Sequence, residues 1–215
     1  AIVEDGVATL TGIVTDPGTE DTFTVDINWG DGSGVQTITL DASATGSQLF
    51  TQTHRYLDDN PTATASDSYT ITATVTDDDT GTDSASTTVQ VDNVAPMVAL
   101  DGVTAIVENG VATLTGIVTD PGTGDTFTVD INWGDGSGVQ TITLDASATG
   151  SQLFTQTHRY LDDNPSATGS DSYTITATVT DDDTGTGCAS NAVHAANVTP
   201  SVELGGVTAI DETGV

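Results

Sequence analysis

Along most of this chain apolar and polar residues alternate with a period of two, the spacing that sends one row of side chains into a core and the other into solvent when the backbone is extended. The clearest stretch places Phe23, Val25, Ile27 and Trp29 between Thr22, Thr24, Asp26 and Asn28. Before it, Ala8, Leu10 and Val14 alternate with Thr9 and Thr11, and Asp16-Pro17-Gly18-Thr19 supplies a turn between the two segments. Gly30-Asp31-Gly32-Ser33-Gly34 turns the chain into a strand over 35–40, and further strands are expected over 49–57, 69–76 and 85–91. Tyr69, Ile71, Ala73 and Val75 form the inward row of the strand over 69–76. Adding a first strand near Ile2 and Val3 gives about seven strands per ~100 residues, the arithmetic of an immunoglobulin-like sandwich.

The pattern then repeats. Residues 7–86 recur as 111–190 with five differences: Glu20/Gly124, Thr62/Ser166, Ala65/Gly169, Asp83/Gly187 and Ser84/Cys188. The 104-residue period predicts two tandem Greek-key sandwiches arranged end to end, over 1–95 and 96–199. Gly206-Val207-Thr208-Ala209-Ile210 repeats Gly102-Val103-Thr104-Ala105-Ile106, so 200–215 is expected to hold a linker and the first strand of a third copy. A strand of about ten residues rises ~33 Å, so each repeat is expected to advance ~40–45 Å along the array.

Three ordered motifs carry a family resemblance. Trp29-Gly30-Asp31-Gly32, His54-Arg55-Tyr56 and Tyr69-Thr70-Ile71-Thr72-Ala73-Thr74-Val75-Thr76-Asp77 recur at 133–136, 158–160 and 173–181. Together they resemble the polycystic kidney disease (PKD) domain, with Asn28 and Asn132 standing where that family usually places an Asp. The resemblance implies a seven-stranded sandwich used outside the cell or at its surface, in tandem, as a spacer or adhesive module or as an accessory domain of a secreted enzyme. It implies no catalytic activity.

Composition sharpens this picture. Thr is the commonest residue, at 43 of 215 positions, and Lys is absent, which together favour strands over helices and an all-β class. Acidic residues number 32 against two arginines, a formal charge of −30. No basic face exists to neutralise phosphates, so nucleic acid is excluded as a partner, as is an anionic membrane surface. Without lysine there is no Schiff base and no Lys–Asn isopeptide bond, and a single cysteine cannot form an intrachain disulfide. No apolar run is long enough to span a bilayer as a helix. Acidic, lysine-free surfaces are also a feature of proteins from saline habitats.

Catalysis is not expected. A nucleophile needs a base and an orienting group in reach, whereas His54 and His158 each sit in an alternating strand beside a tyrosine and read as packed rings bonded to a backbone group or carboxylate. Cys188 and His194 occur in one copy only and are too few for zinc. Trp29 and Trp133 alternate with core residues and read as core, not as a sugar platform. Asn197-Val198-Thr199 is an N-glycosylation sequon.

The carboxylates are the candidate site. Asp77, Asp79 and Asp83, with Gly81 between them, give the alternating oxygen donors and tight turn that suit Ca²⁺, a cation that takes six to eight oxygens. In a Greek key the loops 16–21 and 77–83 lie at the end where the chain comes in, the leading end. Glu4-Asp5-Gly6, Gly30-Asp31-Gly32 and Leu57-Asp58-Asp59-Asn60-Pro61 lie at the other, trailing end. Stacking two copies therefore brings acidic loops together around Val91-Asp92-Asn93-Val94-Ala95-Pro96, which resembles the linker of cadherin repeats. Asp92 and Asn93 with Asp120, Asp125, Asp181 and Asp183 are the expected ligands there, since such a cluster is repulsive without a cation. The function expected is a non-catalytic, calcium-stabilised structural or adhesive repeat in a longer array or fibre. The alternative is an accessory module of a secreted hydrolase, binding polysaccharide or protein. Expected partners are neighbouring repeats or subunits of the same protein, then glycans or surface proteins.

Overall fold

The computed structural model describes residues 1–60, 62–163 and 166–207, and all described regular structure is strand. The first repeat contains β1 (Ile2–Val3), β2 (Val7–Thr15), β3 (Phe23–Asn28), β4 (Val35–Leu40), β5 (Ser47–Arg55), β6 (Ser66–Asp77) and β7 (Thr82–Asp92). The second contains β8 (Met97–Leu100), β9 (Ile106–Val107), β10 (Val111–Thr119), β11 (Phe127–Asn132), β12 (Val139–Leu144), β13 (Ser151–Arg159), β14 (Ser170–Asp181) and β15 (Thr186–Ala196). Each repeat is a two-sheet sandwich. In the first, a five-stranded sheet ordered β1-β7-β6-β3-β4 faces the pair β2-β5; in the second, β9-β15-β14-β11-β12 faces β8-β10-β13. Pairing is antiparallel except for β1 with β7 and β9 with β15, which are parallel. This is the immunoglobulin-like arrangement that the alternation predicts.

The inward rows build the cores. Phe23, Val25 and Ile27 of β3 and their counterparts Phe127, Val129 and Ile131 of β11 are all buried, as are Trp29 and Trp133 just beyond them. Each tryptophan anchors a polar network that keeps its buried groups satisfied. Trp29 Nε1 donates to Gln36 Oε1 at 3.0 Å, Gln36 Nε2 to Gln52 Oε1 at 2.8 Å, and Tyr56 Oη to the Trp29 carbonyl at 2.8 Å. His54 stacks on Trp29 with ring centroids 4.9 Å apart and holds Asp31 Oδ2 at 2.6 Å from Nε2. Burial alone pushes the Asp31 carboxyl up, but hydrogen bonds from Ser33 and His54 outweigh it and hold that group below its usual range. Trp133, Gln140, Gln156, Tyr160, His158 and Asp135 repeat the network. The histidines are therefore packed and carboxylate-bonded, and neither tryptophan faces solvent. Gly134 is required beside Trp133: at φ 81° a Cβ there would lie 2.3 Å from the Thr174 carbonyl oxygen.

One element was not anticipated. Where a single first strand is expected, the second repeat has two: β8 pairs with β10 through Met97–Leu100, and after a loop β9 joins β15 in the opposite sheet. Val98 and Leu100 pack against the core. Among the described residues the first repeat has only the later of these strands, β1. The expected strand of a third copy carries no strand over 200–207, and its remainder, 208–215, lies outside the described residues. Among the described residues no helix is long and apolar enough to cross a membrane.

Replacing Tyr160 by Phe removes one hydroxyl and leaves the buried Trp133 carbonyl without its partner. It is expected to cost about 1–3 kcal/mol of unfolding free energy. Urea denaturation followed by tryptophan fluorescence should show a lower midpoint at unchanged m; an unmoved midpoint would remove the network from any account of stability.

Candidate metal centre between the sandwiches

The site forms where the trailing end of the first sandwich meets the leading end of the second. Glu4 follows β1, and its backbone N–H donates to the Asp92 carbonyl at 3.0 Å, which fixes it beside the linker. Asp58 and Asp59 follow β5 in the loop that leads to β6. From the other side come Asp120 and Asp125, in the loop between β10 and β11, with Asp181 at the end of β14 and Asp183 in the turn that leads to β15. That turn is closed by the Gly185 N–H, which donates to Asp181 Oδ1 at 2.6 Å, with Thr184 at φ 76°. The two bodies touch directly: the Thr123 N–H donates to the Leu57 carbonyl at 3.2 Å, and Asn93 Nδ2 donates to Asp181 Oδ2 at 3.0 Å.

Three overlapping triads of carboxylates result. One oxygen from each of Glu4, Asp58 and Asp59 lies within 4.8 Å of the others, and the same holds for Glu4, Asp120 and Asp125 and for Asp58, Asp125 and Asp183. These groups are not at the surface. Glu4, Asp125 and Asp183 are each 1% exposed and Asp59 is fully buried. Both carboxylate oxygens of Asp59, Asp125 and Asp183, one of Glu4 and Asp120, and Asn93 Oδ1 are buried with no hydrogen-bond partner. Burying an ion without a partner is among the costliest acts in a fold. Only Arg55 and Arg159 are basic, and they are engaged elsewhere, Arg55 with Asp5 and Arg159 with Asn109.

Without a cation the carboxyl groups answer by holding protons. Burial, helped by the charges of Glu4, Asp58 and Asp120, pushes Asp125 up to about 10. Burial likewise raises Glu4 to about 8, against the opposing hydrogen bond from the Val94 N–H at 2.8 Å. Asp59 is raised to about 7 by burial and then by Asp183, and Asp183 to about 6 by burial and then by Asp182. Asp120 is also raised, burial being the main cause.

The sequence-expected residues divide into three groups. Asp120, Asp125, Asp181, Asp183 and Asn93 meet at the junction. Asp92 lies beside it, but its Oδ1 accepts from Gln90 Nε2 at 2.6 Å and it belongs to none of the triads. Asp77 and Asp79 are the counterparts of Asp181 and Asp183 at the free leading end of the first sandwich, where Asp77 Oδ1 accepts from the Gly81 N–H at 2.7 Å. Asp83 sits exposed on β7, and Gly187 replaces it in the second repeat. Glu4, Asp58 and Asp59 were missed as ligands. Their loops were placed at the correct end, and the missing step was to treat that end as half of a site. Cys188 and His194 are both exposed on β15.

Protonation at the junction sets a sign for pH dependence. An unfolded carboxyl titrates near ~4, so above that pH the folded, metal-free protein binds more protons than the unfolded chain. Stability is therefore full at mildly acid pH and is lost as pH rises through the folded values, about 6, 7, 8 and 10. In chelator the melting temperature should fall steadily from pH 5 to pH 9, and Asp125→Asn should flatten that slope. A melting temperature that climbs over the same range would contradict the buried cluster.

No protein-family model matches the chain, and no curated protein matches it. Solved structures do. The tetra-tandem repeat in the extending region of a large adhesion protein is 21% identical, covering 87% of this chain and 50% of that one at a TM-score of 0.42. Chicken CNTN1 domains FN1–FN3 are 13% identical over 94% of this chain and 66% of that one, TM-score 0.32. Red sea bream transglutaminase is 12% identical over 89% of this chain and 30% of that one, TM-score 0.32. The chain thus spans between about a third and two thirds of these proteins' lengths, and likeness at this level assigns neither family nor activity.

Proposed function

We propose that this chain is a non-catalytic, extracellular structural module, a stretch of tandem PKD-like sandwiches with repeats over 1–95 and 96–199, whose junctions are locked by calcium. The observation that carries the reading is the set of unpartnered, buried carboxylate oxygens contributed by both sandwiches to one junction. Glu4, Asp58 and Asp59 from one side and Asp120, Asp125 and Asp183 from the other offer twelve oxygens, with Asn93 Oδ1 beside them. Ca²⁺ takes six to eight oxygens in flexible geometry, whereas Mg²⁺ keeps several waters. A dry cluster made only of carboxylates therefore suits calcium. Divalent cations held by these overlapping triads would balance the carboxylate charge, displace the protons and turn repulsion across the junction into attraction. The work of such a module is to hold a set distance, as a spacer or adhesive array at a cell surface. The −30 charge keeps neighbouring arrays apart in solution.

Calcium binding to the folded state alone stabilises it by RT ln(1 + [L]/Kd), about 2.7 kcal/mol at a hundredfold excess over Kd. Millimolar Ca²⁺ added after chelation, at constant ionic strength and pH 8, should raise the melting temperature and release protons into weakly buffered solution. Equal Mg²⁺ should do neither to the same degree. The double variant Asp125→Asn/Asp183→Asn, which breaks two of the three triads, should have a weaker calcium response while keeping its fold. An unchanged melting temperature in the unsubstituted chain would defeat the proposal.

A further inference from the structure

The leading ends of the two sandwiches are built from almost the same residues. The loop Asp16-Pro17-Gly18-Thr19-Glu20-Asp21 returns as Asp120-Pro121-Gly122-Thr123-Gly124-Asp125, with one difference, Glu20 against Gly124. Both loops open in the same way, the Gly18 N–H donating to Asp16 Oδ1 at 2.7 Å and the Gly122 N–H to Asp120 Oδ1 at 2.8 Å. The backbone does not ask for glycine at the variable position. Gly124 is not among the residues with positive φ, and the first sandwich places a glutamate there. The reason for glycine lies across the junction.

Gly124 lies against Asp58 of the first sandwich. A Cβ on residue 124 would stand 2.0 Å from Asp58 Oδ2, 2.9 Å from its Cγ and 3.3 Å from its Cβ. An unattached carboxylate would swing away at little cost, but this one is held. Asp58 Oδ2 accepts from Asn60 Nδ2 at 2.6 Å, Asp58 Oδ1 is buried with no hydrogen-bond partner, and Asp58 belongs to two of the three junction triads. The backbones are held as well, because the adjoining residues bond to each other, the Thr123 N–H donating to the Leu57 carbonyl at 3.2 Å. A side chain at 124 must therefore turn Asp58 out of its triads or part the backbones at Thr123. A glutamate does more harm than an alanine, since it sets another carboxylate beside Asp58.

We propose that position 124 decides which trailing end a sandwich accepts. Glycine there makes the leading end of the second sandwich a seat for a trailing loop with Asp at the place of Asp58, and glutamate, as at Glu20, closes the seat to such a loop. The second sandwich carries the same trailing residues, Leu161-Asp162-Asp163. Seating therefore has a direction: the second sandwich accepts the first, and the first does not accept the second in the same way. Another difference acts in the same sense. Gly187 lies against the linker, where a Cβ would stand 2.1 Å from the Pro96 carbonyl oxygen, and the first sandwich has Asp83 at that place. The seat is a contact between protein groups and needs no metal; the calcium reading enters only through Asp58.

Amide hydrogen exchange at Thr123, read by NMR on the full chain in chelator and in millimolar Ca²⁺, tests the proposal. Gly124→Ala and Gly124→Glu should each speed exchange of the Thr123 N–H by about tenfold or more. Gly124→Glu should also shrink the calcium-induced rise in melting temperature. Glu20→Gly, in the equivalent loop, should change neither. In the Gly124→Ala background Asp58→Ala removes the obstructing carboxylate and should restore slow exchange in chelator, a rescue that a merely loosened loop would not show. Three results would each overturn the seat: Thr123 exchanging in the unsubstituted protein as fast as in an unfolded chain, Gly124→Glu leaving its exchange unchanged, or Asp58→Ala failing to restore it. If the unsubstituted chain gives no calcium response while both Gly124 variants still expose Thr123, the metal reading falls and the seat stands.

Discussion

Carboxyl groups from both sandwiches, most of them buried, meet at one junction in a chain with two arginines and no lysine. Burial with mutual repulsion pushes Glu4, Asp59 and Asp125 up into or above the neutral range. Much else in the molecule follows from that constraint. The loops that carry these groups are held by their own backbone bonds: Gly122 to Asp120, Gly185 to Asp181, Val94 to Glu4. The cluster is therefore presented and not improvised, since these bonds stand without any ion. Its cost falls on the contact between the sandwiches, to which both contribute carboxylates.

How much of this could be read from the sequence depends on the range of the interactions. Phe23, Val25 and Ile27 announce a strand by local alternation, and their burial follows with no long-range information. The 104-residue period made the tandem organisation legible in the same way. At the junction, Asp120, Asp125, Asp181 and Asp183 were legible because turn-forming Asp and Gly mark the leading end. Glu4 and the pair Asp58 and Asp59 are separated by more than fifty residues and converge only when the sheets close. Strand β8 was missed for another reason: four residues bounded by Pro96 and Asp101 carry too little alternation to stand out beside a linker. The switch from β8 in one sheet to β9 in the other has no local signature at all.

The few differences between the copies are informative because they are so few. Gly124 lies beside Asp58 across the junction and Gly187 beside Pro96, whereas the buried networks around Trp29 and Trp133 are identical in every side chain. Ala65/Gly169 lies at the trailing end, where only the backbone carbonyl is used, accepting from Asn93 and Asn197 respectively.

The parallel pairing of β1 with β7, and of β9 with β15, has a mechanical meaning. In each sandwich the short early strand, β1 or β9, lies beside the last strand, β7 or β15, and both run in the same direction. A pull on the two ends of the array drags these neighbours in opposite senses along their length. Their hydrogen bonds are then loaded together, in shear, and cannot be opened one after another as in a hairpin peeled from its end. A sandwich threaded in this way resists tension along its long axis far better than the small number of bonds in the β1–β7 ladder suggests.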